Sequence, residues 1–319
     1  MDLIRASQAS GSLSPALQEA LLEFVLVRQD SAHTRGVYGR ACARLLRWTD
    51  HRHQTLTELR PLDLALYAQT MAEQLAPASV ATHMSAIRRL YAPLMDHQLI
   101  QRNPASGLRV AQPRVQVGKT PVFNPDLLAR YLDDLDLRDP RARRDHALMS
   151  AMLYSFLRIG SLLALRVGDL RLASGELLVR EKGGLQRLLP LHPELRHRLQ
   201  RYLANASFAD DADHALFPAM RRGRSGRYGE RALSRSEAWT LVRKHLAQAG
   251  WSAPAGCHSF RATGITAFLE QGGRIETAAY LAGHASLRTT QLYDRRSRDL
   301  AGEELARMTF AREKGGSAR

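Results

Sequence analysis

The chain has 319 residues, long enough for two domains with separate cores, and carries 46 Lys and Arg against 31 Asp and Glu, a net charge of +15. A balance this basic selects a polyanionic partner, nucleic acid first and an anionic membrane second, over a merely solvated basic surface. Cys42 and Cys257 lie far apart and make neither a disulfide framework nor a metal-ligand cluster, so a reducing cytoplasm is expected.

The N-terminal stretch MDLIRASQASGSLSPALQEA lacks the apolar core of a signal peptide. From Ser14 the pattern is helical, with Leu17, Ala20, Leu21, Phe24 and Val25 on one stripe. The next helix buries Val37, Ala41, Leu45 and Trp48 and shows Arg35, Arg40, Arg44 and Arg47 on its other face. Pro61 opens a third, where proline is tolerated in the first turn. A fourth follows Pro77, with Ser79 as its expected cap and Ala81, Met84, Ile87, Leu90 and Tyr91 inward. Thr82, His83, Ser85, Arg88 and Arg89 face out, and Pro104 closes the unit. Four helices in this length form a small bundle. Its arginines suit phosphate contacts that position rather than specify, and an ordinary solvated helix face is the competing reading of each.

Residues 109–121 hold two prolines, have no period and read as a basic linker between domains at 1–108 and 122–319. Asn124 caps the first helix of the second domain. The apolar run 147–165 contains Arg158, which makes a membrane span improbable. A charge within such a helix either meets an anion or snorkels at the helix edge. The period then changes to alternation on both sides of Gly183-Gly184, a β-hairpin with Lys182 at its turn and an earlier short strand near Leu170 and Leu172. Lysine at such a tip is either a proton donor or soluble surface.

Pro193 to Leu203 is a helix, and residues 221–231, with five arginines and three glycines, read as a loop in which Arg221, Arg222 and Arg224 grip phosphates. Ser234 or Ser236 starts a helix through Val242. The richest stretch, from Cys257 to Tyr293, places His258 and Arg261 on one helix face and stops that helix at Gly272-Gly273. A second run from Ile275 ends at Gly283 before His284, and a third carries Tyr293; a last helix is expected over 299–308. Arginine forks match phosphate, imidazoles hold or move protons near neutrality, and a phenol attacks only where its developing charge is stabilised. The set suits metal-free attack of tyrosine on a phosphodiester. No metal site or cofactor is expected, and activity should persist in EDTA.

The ordered set Arg158, Lys182, His258, Arg261, His284 and Tyr293 resembles that of the tyrosine site-specific recombinases, the phage integrase family. The arginine segment is SFLRIGS, the hairpin REKGG, the H-x-x-R motif HSFR, and AGH is followed nine residues later by Tyr293. The first domain resembles the family's helical, SAM-like core-binding domain, with Thr34 and Tyr38 in T-x-x-x-Y and a closing Asn103-Pro104. Three positions depart from the pattern: Phe156 for glycine, Ser161 for glutamate and Leu185 for a second lysine.

The resemblance implies a mainly α fold with a small β-hairpin or sheet, in two domains. It implies site-specific recombination through a 3′-phosphotyrosyl intermediate, serving integration, excision or resolution. Also implied are a C-shaped clamp on duplex DNA, a homotetramer on paired sites with 299–308 exchanged between neighbours, and accessory proteins in some systems. Two other readings compete: a type IB topoisomerase-like relaxation that shares the chemistry, and a DNA-binding regulator, since ETAAYLAGHASLRTTQLY also resembles a helix-turn-helix.

Overall fold

The computed structural model describes residues 13–29, 32–109, 120–181, 185–221, 226–251 and 254–294. The chain divides into two compact units, 1–114 and 115–319. Lys182, Arg222, Arg224, most of the linker and 299–308 lie outside the described residues.

The first unit is built from α1 (Pro15–Leu26), α2 (Ala32–Asp50), α3 (Pro61–Gln74) and α4 (Pro77–Asp96). Ser14 caps α1 by accepting from the Leu17 amide, and proline opens α1, α3 and α4 where its missing N–H costs nothing. Ala76, not Ser79, is the cap residue of α4, because Pro77 already sits in its first turn. The core holds Leu21, Phe24, Leu45, Tyr67, Met84, Ile87 and Tyr91.

The outward set of this unit divides. Arg40, Arg47, Thr82 and Arg89 are exposed. Arg35 donates to the Gln29 carbonyl and Arg44 to the Met71 sulfur. Arg88 donates to the carbonyls of Ala105 and Leu108 and so ties down the chain that leaves α4. His83 is half-buried, and burial lowers its pKa.

The second unit starts with α5 (Pro125–Asp133), capped by Asn124, and α6 (Pro140–Tyr154). The apolar run does not continue as one helix. Phe156 takes a left-handed backbone, φ 56°, at a cost of about 1–2 kcal/mol for a residue with a Cβ. Its ring is buried and meets Phe268 edge-on at 5.7 Å. Arg158 is therefore the cap residue of a new short helix, α7 (Ile159–Leu163), and stands exposed rather than inside a helix.

An antiparallel sheet follows in the order β1 (Leu170–Arg171), β2 (Glu176–Arg180), β3 (Gln186–Pro190). Leu177 pairs with Leu189 and Val179 with Arg187. Alternation therefore puts Leu177, Val179 and Leu189, all buried, on the same face as Arg187.

After α8 (Pro193–Leu203), a second antiparallel pair forms from β4 (Pro218–Met220) and β5 (Tyr228–Ala232). Part of the arginine-rich stretch read as loop is thus a strand; Tyr228 anchors it by donating to the Pro140 carbonyl at 2.8 Å. Helix α9 (Arg235–Gln248) starts at Ser234 with a capping box to Glu237 and runs past Val242. The last described elements are α10 (Cys257–Glu270), α11 (Ile275–Ala282) and α12 (Leu287–Gln291). Tyr293 follows α12, its amide bonded to the Thr290 carbonyl, rather than lying within it.

The main core of this unit contains Leu148, Leu162, Val179, Leu199, Phe217, Val242 and Phe260. A separate small cluster joins Phe156, Ala262, Ile265, Leu269, Ala278, Ala282 and Tyr293. Among the described residues no helix is long and apolar enough to cross a membrane.

Candidate active site

Helix α10 is the floor of the site. Its first turn presents His258 and, one turn on, Arg261, which is only 2 % exposed. Gly264 lets this helix approach α6: a Cβ there would lie 1.9 Å from the Leu153 carbonyl oxygen. The approach brings the Phe156 carbonyl to Arg261 Nη1. Arg261 Nη2 donates to the Ala282 carbonyl at 2.9 Å and to His284 Nε2 at 2.5 Å. Its buried Nε has no hydrogen-bond partner among the described residues.

The turn after α11 carries His284. Gly283 has φ 61° and ψ 48°, a left-handed helix end that glycine adopts without a Cβ penalty. Its carbonyl accepts from Arg158 Nη1 at 3.2 Å, the one hydrogen bond of the Arg158 side chain among the described residues. The two guanidiniums thus differ. Arg261 is buried and bound to the protein, whereas Arg158 offers most of its donors to an incoming ligand.

Since Arg261 donates to Nε2 of neutral His284, the other ring nitrogen carries the proton and donates to Thr290 Oγ1 at 2.8 Å. Tyr293 OH lies 3.0 Å from His258 Nε2, and the Tyr293 ring stacks on His284 with centroids 5.9 Å apart. Thr266 Oγ1 donates to the Tyr293 carbonyl at 3.1 Å. Arg158, His258, Arg261, His284 and Tyr293 all line one cavity of about 970 Å³, together with the exposed Trp239 and with Arg243.

The electrostatics suit an anion. Burial, with the charge of Arg158 beside it, lowers the Arg261 guanidinium to about 10. Burial and the charges of Arg261 and Arg158 lower His284 to about 4, and the same causes lower His258. Both imidazoles are therefore neutral at pH 7, and an anion among these groups would favour their charged forms.

The structure thus brings together five of the six residues singled out in the sequence; Lys182 lies outside the described residues. Arg221 sits at the end of β4, its amide bonded to the Arg227 carbonyl. Sequence reasoning missed Thr290 and Thr266, buried hydroxyls that hold His284 and Tyr293. Their signal was two threonines on otherwise inward helical positions, in RATGIT and RTTQLY. Thr290→Val keeps the shape and strands the half-buried His284 N–H, a loss of about 1 kcal/mol. We expect the single-turnover DNA cleavage rate to fall roughly fivefold, by the same free-energy scale, while the circular dichroism spectrum is unchanged.

The profile of the phage integrase family matches residues 123–299, and that of the phage integrase N-terminal SAM-like domain matches 19–98. Tyrosine recombinase XerC of Xanthomonas campestris pv. campestris is 30 % identical over 89 % of this chain and 85 % of its own. Tyrosine recombinase XerD of Chlorobaculum tepidum is 28 % identical over 87 % and 90 %. In fold, the chain is similar to the XerH site-specific recombinase bound to a palindromic difH substrate, with a TM-score of 0.67 at 17 % identity over 86 % of this chain and 79 % of that one. A lambda integrase dimer bound to a COC′ core site gives a TM-score of 0.64 at 16 % identity, covering 93 % and 82 %. The chain therefore belongs to the phage integrase family and is a tyrosine recombinase, an enzyme of site-specific DNA recombination.

Proposed function

We propose that the chain cleaves and rejoins DNA by transesterification, with Tyr293 as nucleophile and a 3′-phosphotyrosyl link as intermediate. The observation that carries this reading is the Tyr293 hydroxyl 3.0 Å from His258 Nε2, in the cavity that holds both arginines. His258, kept neutral by burial and by the neighbouring arginines, accepts the phenolic proton as the oxygen attacks phosphorus. The exposed fork of Arg158 meets the non-bridging oxygens, and Arg261 adds charge from below. Such donors are worth about 10²–10³ each in rate. His284 orients Arg261 before DNA arrives; a bound phosphate raises its proton affinity and turns it into a donor. Lys182 protonates the leaving 5′-oxygen. A second strand's 5′-hydroxyl then attacks the phosphotyrosine, so the bond is exchanged without a nucleotide cofactor.

The substrate on this reading is duplex DNA with two paired sites, held by four copies of the chain, with accessory proteins where the site arrangement demands them. Its setting is the cytoplasm. In the first unit, the exposure of Arg40, Arg47, Thr82 and Arg89 supports phosphate contacts by these side chains.

A nicked suicide duplex carrying the recombination site tests the chemistry. We expect an SDS-stable, protease-sensitive adduct that forms in EDTA and maps to the peptide containing Tyr293. A protein that binds its site and forms no such adduct would refute the proposal.

The pH dependence follows from His258. Acid protonates it and removes the proton acceptor. Because its pKa is lowered, the acid limb should lie below the ordinary histidine value of about 6.5. The second-order cleavage rate, which reports the free protein's ionisations, is expected to be level at pH 7 and to fall as the pH drops below that value. In His258→Gln this limb should vanish and the rate at pH 7 fall by about 10²–10⁴. A limb that persists in that variant would assign the titration to another group.

A further inference from the structure

The buried face of the β2–β3 hairpin carries a charge pair that this mechanism does not use. Arg187, opposite buried Val179, has a side chain only 13 % exposed. Glu181 Oε1 accepts from its Nε at 2.9 Å and its Nη2 at 2.5 Å. Arg187 Nη1 donates to the Tyr280 carbonyl, and its guanidinium lies over the Tyr280 ring, 5.4 Å from the centroid. Tyr280 returns the contact by donating from its hydroxyl to the Leu188 carbonyl at 3.3 Å. Hairpin and α11 are thereby latched together.

The latch closes on Gly283. A Cβ there would meet Glu181 Oε1 at 2.5 Å and Arg187 Nη2 at 2.8 Å, so the ion pair lies directly against this residue. The turn of Ala282, Gly283 and His284 is thus gripped from two sides. On one side, Arg261 holds the Ala282 carbonyl and the His284 ring, and Arg158 holds the Gly283 carbonyl. On the other side stands the pair. Glu181 also lines a cavity of about 680 Å³ with Arg158, His258 and Arg261.

A largely buried ion pair is a poor source of stability, since apolar side chains of similar volume do as well or better. What a forked pair supplies is fixed geometry. We infer that Glu181 and Arg187 are positioning residues for cleavage: their ion pair seats the 282–284 turn and so sets Arg158 and His284 against the scissile phosphate. This inference rests on the proposed roles of Arg158 and His284.

The test uses the full chain with Glu181→Gln, Arg187→Gln, Arg187→Lys and the double Gln variant, and Arg158→Ala as reference. Glu181→Gln keeps the shape of the side chain and guards against a folding defect. Single-turnover cleavage is measured at saturating protein, alongside the DNA Kd and the melting temperature. We expect both Gln variants to cleave about 10–100-fold more slowly, as for a small misplacement at a reacting centre. The Kd should stay within about threefold, the double variant should be no worse than the worse single, as for groups acting as one unit, and Arg187→Lys should recover part of the rate.

A second substrate carries a neutral methylphosphonate at the scissile position, which leaves Arg158 less charge to meet. If the latch acts through Arg158, the penalty of Arg187→Gln should largely disappear there. Unchanged rates in Glu181→Gln and Arg187→Gln would overturn the inference. So would a penalty equal on both substrates, or one explained by a fall in melting temperature below the assay temperature. Full activity in Arg158→Ala would instead overturn the catalytic reading beneath it.

Discussion

Tyr293→Phe is expected to bind its DNA site with unchanged affinity and to form no covalent adduct with it. The variant loses one oxygen. That oxygen meets His258 Nε2 at 3.0 Å, while the ring keeps its stacking on His284 and its place in the small apolar cluster. Folding therefore survives and chemistry does not. Where a nucleophile and its partners act as a unit, removing the nucleophile costs on the order of 10⁶ in rate, so cleavage should fall to the floor of a suicide-substrate assay. Gel-shift titration of the same preparation supplies the control. Adduct formation by the variant would show that another side chain attacks.

Gly264→Ala is expected to be the most damaging glycine-to-alanine change among the described residues of the second unit. Its Cβ would sit 1.9 Å from the Leu153 carbonyl oxygen and 3.0 Å from Phe156 Cε1. A backbone carbonyl cannot swing aside as a long side chain can, so α10 and α6 must separate. Overpacking of this kind costs about 3 kcal/mol or more. At about 2–4 °C per kcal/mol for a unit of this size, the melting temperature should fall by about 6–12 °C. The separation also pulls Arg261, one turn earlier on α10, away from the Phe156 carbonyl, so cleavage should suffer below the melting temperature as well. Gly39→Ala, where the added methyl meets nothing within 4 Å, is the control and should be neutral or stabilise by about 0.4–1 kcal/mol. Equal melting temperatures for Gly264→Ala and the parent chain would remove the close approach from the account.

Much of this was legible because the signals were local. Proline at N1 with Ser14 or Asn124 before it marks a helix start in any context, and Gly283 marks a helix end through backbone sterics alone. The H-x-x-R spacing placed two groups on one helical face without reference to the rest of the fold. What stayed hidden depends on tertiary contact. The break at Phe156 falls in a mainly apolar run, and tertiary contacts hold it: its ring packs on Phe268 and its carbonyl meets Arg261. Strand β5 lies among arginines and glycines whose composition signals loop, and its pairing with β4 decides otherwise. Glu181 and Arg187 occupy inward positions of a hairpin, where a pattern reading expects apolar residues. Their mutual contact and Gly283 explain them only once the chain is folded. The division between an exposed Arg158 and a buried Arg261 likewise has no counterpart in residue type.

The seating of Tyr293 in the small cluster with Phe156, Ala262, Ile265, Leu269, Ala278 and Ala282 has a genetic consequence. This cluster is separate from the larger core of its unit. Trimming it, as in Ile265→Val or Leu269→Val, should loosen the nucleophile before the main body of the protein melts. Heat-sensitive recombination alleles should accordingly gather at these aliphatic positions. They would be recovered at low temperature as ordinary enzymes and fail on warming while still holding DNA.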